Sequence, residues 1–193
     1  MNWDQYFLNI CRAVATNSKC LSRQLGAIIV KDKSIISTGY NGPPRGIPPC
    51  DEWGGSRYKE DTGKQLYIAI NGMYGSRQLP PEVYNNSEAV RRYNKNGKCP
   101  RHVFGYASGK GLHLCIAGHA ERNALINAAR HGISVKGATL YLTEILPCKD
   151  CMIEIINAGI VEIVSETMNY YDTMSKYLMD ESGIKIRTYE LDD

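Results

Sequence analysis

The sequence predicts an α/β fold, three layers (α/β/α) around a central mixed sheet of about five strands. Short apolar runs bounded by turn residues recur at 27–30, 34–38, 138–143, 160–164 and 184–189. Segments of helical spacing lie at 119–130, 148–158 and 171–181, and Gly132 and Gly159 stop the first two. Strands that alternate with helices need a sheet covered on both faces.

The opening segment places Trp3, Tyr6, Phe7, Ile10, Cys11 and Val14 at helical spacing, which predicts an amphipathic first helix with Cys11 in the core. Asp4 and its polar neighbours are foreign to a secretory signal. No run is apolar for long enough to span a bilayer. The expectation is a cytoplasmic protein, in the host cytoplasm if viral, with no membrane partner. The strands at 27–30 and 34–38 flank Lys31-Asp32-Lys33 and read as a hairpin. Residues 39–50, GYNGPPRGIPPC, are dense in Gly and Pro and read as loop. Residues 51–98 lack a clear period, although a helix over 81–93 fits. They read as an elaborated insertion on a single domain spanning 1–193, too long for an ordinary connection.

A net charge of +3 without a long basic run argues against a polymeric nucleic-acid partner and for a small anionic ligand. Arg91, Arg92, Lys95 and Lys98 read as a solvated face. Seven cysteines are many for a chain of this kind, and in a reducing compartment they point to metal ligands or catalysis before disulfides.

Two fragments carry chemistry: His119-Ala120-Glu121 and Pro147-Cys148-Lys149-Asp150-Cys151. This order, H-x-E and then P-C-x-x-C, is a zinc nucleobase deaminase signature. Three protein ligands, His119, Cys148 and Cys151, leave a tetrahedral zinc one open position. Water there falls in pKa towards about 7. The two cysteines at a helix start project from one face, and the positive helix end favours their thiolates. Glu121 need not ligate and is placed to shuttle protons, which requires a carboxyl group whose pKa is raised by a dry pocket. C-x-x-C alone reads equally well as structural zinc or a redox pair. The ordered pair of motifs decides for a catalytic site.

Cys20, Cys50, Cys99 and Cys115 lie in or beside predicted loops and could hold a second, closed zinc site, with His102 and His113 as reserve ligands. The alternative is four free buried thiols. In the Gly/Pro loop, Gly39, Gly42 and Gly46 allow close backbone approach to a ligand. Asn41 there offers donor and acceptor to a sugar hydroxyl or base edge. Arg23 and Arg45 are phosphate partners by charge, or solvated side chains of a plain turn.

At these residues the chain resembles the deoxycytidylate (dCMP) deaminases of the cytidine-deaminase-like superfamily. The resemblance covers SKCLSRQLGAIIVKDKSIISTGYNGPPRGIPPC (18–50) and the stretch from CIAGHAERNALINAARHG (115 to 190); CPRHVFGYASGKGL resembles a version in some members. The resemblance implies catalytic zinc on His119, Cys148 and Cys151, with Glu121 as proton shuttle. It puts Asn41 and Ala120 at the substrate, and Tyr170 or Tyr171 over the pyrimidine. It puts Cys20 and Cys50 on a second zinc, with Cys99 and Cys115 completing the set. It further implies a homohexamer activated by dCTP and inhibited by dTTP, with Mg2+ accompanying the allosteric nucleotide. Arg130, at a helix end, suits an intersubunit or nucleotide contact, or a partner for the helix dipole. One departure is residues 143–147, which form a connection one residue longer than the family's usual one.

The expected activity is hydrolysis of dCMP to dUMP and ammonia, supplying dUMP for dTMP synthesis. Competing readings are a deaminase of another cytosine nucleotide or nucleoside, or of a tRNA base, and a non-catalytic zinc-stabilised DNA-binding or uptake accessory protein. Glu121 argues against the last, since structural zinc needs no such carboxylate.

Overall fold

Residues 2–50, 99, 101, 106, 109–112 and 115–189 are described by the structure, a computed structural model. The insertion at 51–98, its helix over 81–93, the Arg91 to Lys98 neighbourhood, His102 and His113 lie outside the described residues. The chain falls into two compact units, one of Met1–Ser18, Gln24–Gly42 and Gly118–Asp193, the other of Lys19–Arg23 and Pro43–Ala117. Among the described residues, no helix is long and apolar enough to cross a membrane.

The first unit holds α1 (Trp3–Ala15), β1 (Gly26–Lys31), β2 (Ser34–Tyr40), α2 (Ala120–Arg130), β3 (Thr139–Leu142), α3 (Lys149–Asn157), β4 (Glu162–Ser165), α4 (Thr173–Ser182) and β5 (Lys185–Thr188). Its single five-stranded sheet has the order β2-β1-β3-β4-β5. β1 pairs antiparallel with β2 and β3, while β3, β4 and β5 run parallel, so the sheet is mixed. Asp32 and Lys33 both adopt positive φ, 50° and 59°, the conformation a two-residue hairpin turn needs to match strand twist.

Side chains alternate between two cores, as strand geometry requires. Ala27, Ile29, Leu140, Leu142 and Ile163 face Ala124 of α2, Met152 and Ile155 of α3 and Met179 of α4. Ile28, Val30, Tyr141 and Val164 face Phe7, Leu8 and Cys11 of α1. The predicted three-layer fold is the observed one.

Two details of the sequence reading are corrected. Trp3 and Tyr6, counted with the buried stripe of the first helix, are 41% and 42% exposed, and the buried set is Phe7, Leu8, Cys11 and Ala15. Gly26 explains the rotation. A Cβ there would stand 2.2 Å from Cys11 O and 2.9 Å from Ala15 N, so α1 makes its closest approach through that turn, and its first residues lie at the rim. Gly39 and Tyr40, assigned to loop, belong to β2. A strand beneath a helix at very short range can use glycine without being a loop, and β2 passes beneath α2 in that way.

One polar cluster ties α1 to β5. Arg187 pairs with buried Asp4 and donates from Nε to Glu162 (3.0 Å), and Tyr141 OH donates to Asp4 Oδ1 (3.3 Å). Glu162 also receives Thr139 Oγ1 (3.0 Å) and faces Lys185 Nζ (3.0 Å). Burial pushes the Glu162 carboxyl up, but the bonds from Lys185, Arg187 and Thr139 outweigh it and hold the group below its ordinary 4.5. A carboxylate depressed on folding contributes stability above its unfolded pKa and loses it as pH falls through the folded value. The thermal midpoint of wild type should therefore exceed that of Glu162→Gln at about pH 7, and the gap should close below about pH 4.5. A pH-independent gap would refute this account.

Candidate metal centre

The residues that begin α2 and α3 are His119 and Cys148. Both have extended backbone, with ψ of 156° and 168°, as N-cap residues do, yet neither caps its helix with its side chain. Each turns its donor atom elsewhere. His119 Nδ1 lies 3.4 Å from Cys148 Sγ and 3.4 Å from Cys151 Sγ. The three donor atoms are all within 4.8 Å of one another, and this is the one such His/Cys/carboxylate group among the described residues. Zinc bonds of about 2.0–2.1 Å to nitrogen and 2.3 Å to sulfur at a tetrahedral angle put the donors about 3.5 Å apart. The donor set fits zinc in both chemistry and spacing.

The electrostatics agree. The Cys148 thiol is lowered to about 4, chiefly by the hydrogen bond with Cys151, against burial, with His119 helping. Cys151 is pushed up by the same hydrogen bond, by burial and by Glu121. Two adjacent thiols resist becoming two thiolates unless a cation lies between them. His119 is raised by its bond to Cys148 against the cost of burial.

Glu121 stands in the first turn of α2, only 7% exposed. Burial raises its carboxyl above the ordinary range, opposed by its own backbone N–H and by His119. The carboxyl sits in a dry environment, as the sequence expectation for a proton shuttle requires. Ala120 beside it is buried. Arg122, which sequence reasoning passed over, holds Nε 3.0 Å from each carboxylate oxygen of Glu154, so it ties α2 to α3. An arginine next to H-x-E and a glutamate three residues after the second cysteine were the available signal.

The end of β2 is fixed against the start of α2. Gly42 and Gly118 exchange backbone hydrogen bonds of 3.1 and 2.8 Å, and Asn123 Nδ2 donates to Tyr40 O at 2.8 Å. Asn41 between them is buried. Its Oδ1 accepts from Leu25 N–H (2.8 Å), and its carbonyl accepts from Ser18 Oγ (2.7 Å). Its side-chain oxygen thus already holds the loop in shape. Of the two tyrosines, Tyr171 has its ring centroid 6.3 Å from that of His119. Tyr170 is 42% exposed, with Lys176 Nζ 5.3 Å from its ring centroid. Arg130 is exposed at the end of α2. Arg23 and Arg45 are exposed residues of the second compact unit. Cys20, Cys50, Cys99 and Cys115 belong to that unit as well. The Cys50 thiol is pushed up to about 12 by burial and then by Cys115, Cys99 and Cys20, so the four cysteines share one neighbourhood. Cys11 is buried in the core, as its place on the first helix predicts.

Comparison with known proteins agrees with this geometry. The family model of the cytidine and deoxycytidylate deaminase zinc-binding region matches residues 1–167. The chain is 35% identical to the deoxycytidylate deaminase of Enterobacteria phage T4, over 81% of this chain and 74% of that one. It is 29% identical to the deoxycytidylate deaminase of Schizosaccharomyces pombe over 97% of its own length, and spans 44% of that relative. A crystal structure of the dCMP deaminase from cyanophage S-TIM5, in complex with dCMP and dUMP, superposes with a TM-score of 0.58 at 22% identity, covering 95% of this chain and 94% of that one. That likeness is one of fold. With the signature fragments joined at one end of such a sheet, and the family match running through both of them, the chain belongs to the cytidine and deoxycytidylate deaminase family.

Proposed function

We propose that the protein hydrolyses dCMP to dUMP and ammonia. One observation carries the reading: a buried carboxyl, Glu121, beside a group that holds three metal-binding side chains among the described residues. A structural zinc takes four protein ligands and has no use for a buried carboxyl nearby. Zinc bound by His119, Cys148 and Cys151 supplies a Lewis acid that makes water a nucleophile at neutral pH. Glu121 takes one proton from the attacking water and passes it to N3 of the pyrimidine. It then takes the second and delivers it to the amine as the C4–N bond breaks. The water oxygen stays on C4 as the new carbonyl, and ammonia leaves. Tyr171, the tyrosine beside His119, covers the base, and Asn41 with Ala120 lines the nucleotide side.

The same reading carries a second, closed zinc on Cys20, Cys50, Cys99 and Cys115, supported by their shared neighbourhood. The resemblance to the family supports a cytoplasmic homohexamer, dCTP and dTTP as effectors with Mg2+, and a nucleotide or intersubunit role for Arg130. It also supports a single domain elaborated at 51–98.

Purified protein should contain two zincs per chain. It should convert dCMP, with loss of cytosine absorbance and release of ammonia, while leaving a cytosine-containing oligonucleotide untouched. Cys50→Ser should lower the metal content to one. Turnover of the oligonucleotide in preference to dCMP would overturn the substrate assignment, and one zinc per chain in wild type would overturn the second site.

A further inference from the structure

The segment carrying Cys148 and the loop carrying Tyr171 are laced together. The Glu144 carbonyl, at a residue with φ of 61°, accepts from Ser165 Oγ (3.1 Å), Thr167 Oγ1 (2.7 Å) and Thr167 N–H (3.1 Å). Leu146 N–H donates to Asn169 O (3.3 Å), and the buried Ser175 hydroxyl donates to Pro147 O (2.5 Å). The last stitch is Asp172. Its Oδ2 accepts the backbone N–H of Lys149, the first residue of α3 (2.9 Å), and its Oδ1 accepts the N–H of Ser175 in α4 (2.7 Å). One carboxylate thus caps two helices.

The arrangement has a chemical reason. A helix start leaves N–H groups without intrahelical partners, and the N-cap side chain ordinarily satisfies one of them. Cys148 occupies that position in α3, but its sulfur is turned to His119 and Cys151. An N-cap side chain reaches the second or third N–H of its helix, which leaves the first, that of Lys149, and Asp172, the residue that follows Tyr171, accepts it. We propose that Asp172 is a positioning residue of this centre. By accepting the first N–H of α3 while capping α4, it fixes the first turn of α3, and so both sulfurs, in register with the Tyr171 ring. The catalytic consequence rests on the deaminase reading above; the consequence for the metal does not.

Asp172→Ala and Asp172→Asn separate this role from a merely structural one. Asparagine has one carbonyl oxygen where aspartate has two, so it can keep the α4 cap while presenting an amide N–H2 to Lys149 N–H. Groups that orient metal ligands typically change metal affinity or activity about 10–100-fold when removed. Zinc transfer to a competing chelator should quicken about 10-fold or more in both variants. The thiolate-to-metal bands of the cobalt(II)-loaded protein should shift in both. The thermal midpoint of Asp172→Asn should stay near that of wild type, and kcat for dCMP should fall more than KM rises. Zinc release and cobalt spectra equal to wild type in both variants would overturn the proposal, as would full restoration by asparagine. If wild type fails to deaminate dCMP while the variants still lose zinc faster, the substrate reading falls and the role of Asp172 stands.

Discussion

Replacing Glu121 with Gln should lower the turnover of dCMP by about 10²–10⁴-fold, the contribution of a positioned acid–base group, while zinc content stays that of wild type. The substitution keeps the size and one acceptor of the side chain and removes only its capacity to carry a proton. The group is buried in the first turn of α2, and burial raises its carboxyl. A proton carrier in that state takes a proton from water and returns it to a poorly basic nitrogen without leaving the pocket. The two readouts divide the possibilities. Lost activity with full metal identifies a shuttle; lost activity with lost metal identifies a ligand. Activity within tenfold of wild type would remove Glu121 from the chemistry altogether.

Gly39→Ala should have the largest effect on stability. A Cβ at this position would stand 2.3 Å from Ala120 O and 2.3 Å from Ala124 N, both backbone atoms of α2. Rotamer changes cannot relieve a clash with backbone, so β2 and α2 must separate. Overpacking of this kind costs about 3 kcal/mol, which lowers the thermal midpoint of a chain this size by about 6–12 °C. Ser37 Oγ to Ala124 O (2.7 Å) and Asn127 Nδ2 to Thr38 O (3.2 Å) join the same two elements and would be stretched as well. Activity should fall with stability, because α2 carries Glu121 and follows His119. Gly42→Ala is the control: among the described residues its Cβ would meet only the Tyr40 ring, at 3.5 Å. Equal midpoints for the two variants in differential scanning calorimetry would refute the close-approach argument.

The alternation of Ile28 and Ile29, or of Leu140 and Tyr141, between two cores is a property of local sequence, so the sheet and its two covered faces could be read directly. The triad was legible for a similar reason. The short spacings H-x-E and C-x-x-C place donor atoms on helix starts, and only one long-range contact had to be supplied. The features that escaped depend on contacts distant in the chain. Gly39 reads as a loop residue until α2, eighty residues later, is seen to lie on it. Trp3 and Tyr6 share the spacing of the buried stripe, and only the approach of Gly26 to Cys11 shows which side of α1 faces inward. Arg122 and Glu154 each lie beside a motif, but at 32 residues apart their pairing shows only once the two helices meet. The choice between Tyr170 and Tyr171 turns on one residue of register in an irregular loop, which no periodicity fixes.

The parallel direction of β3, β4 and β5 has one more consequence. Cys148 follows the carboxyl end of β3, and Tyr171 and Asp172 follow that of β4, whereas residues 131–138 and 158–161 feed the amino ends of the same strands. The metal-binding cysteines and the Tyr171–Asp172 loop thereby share one rim of the sheet, at the carboxyl ends of its parallel strands. A change of loop length at the opposite rim, within 131–138 or 158–161, acts on the metal-binding residues only through the length of a strand and should leave their spacing unchanged.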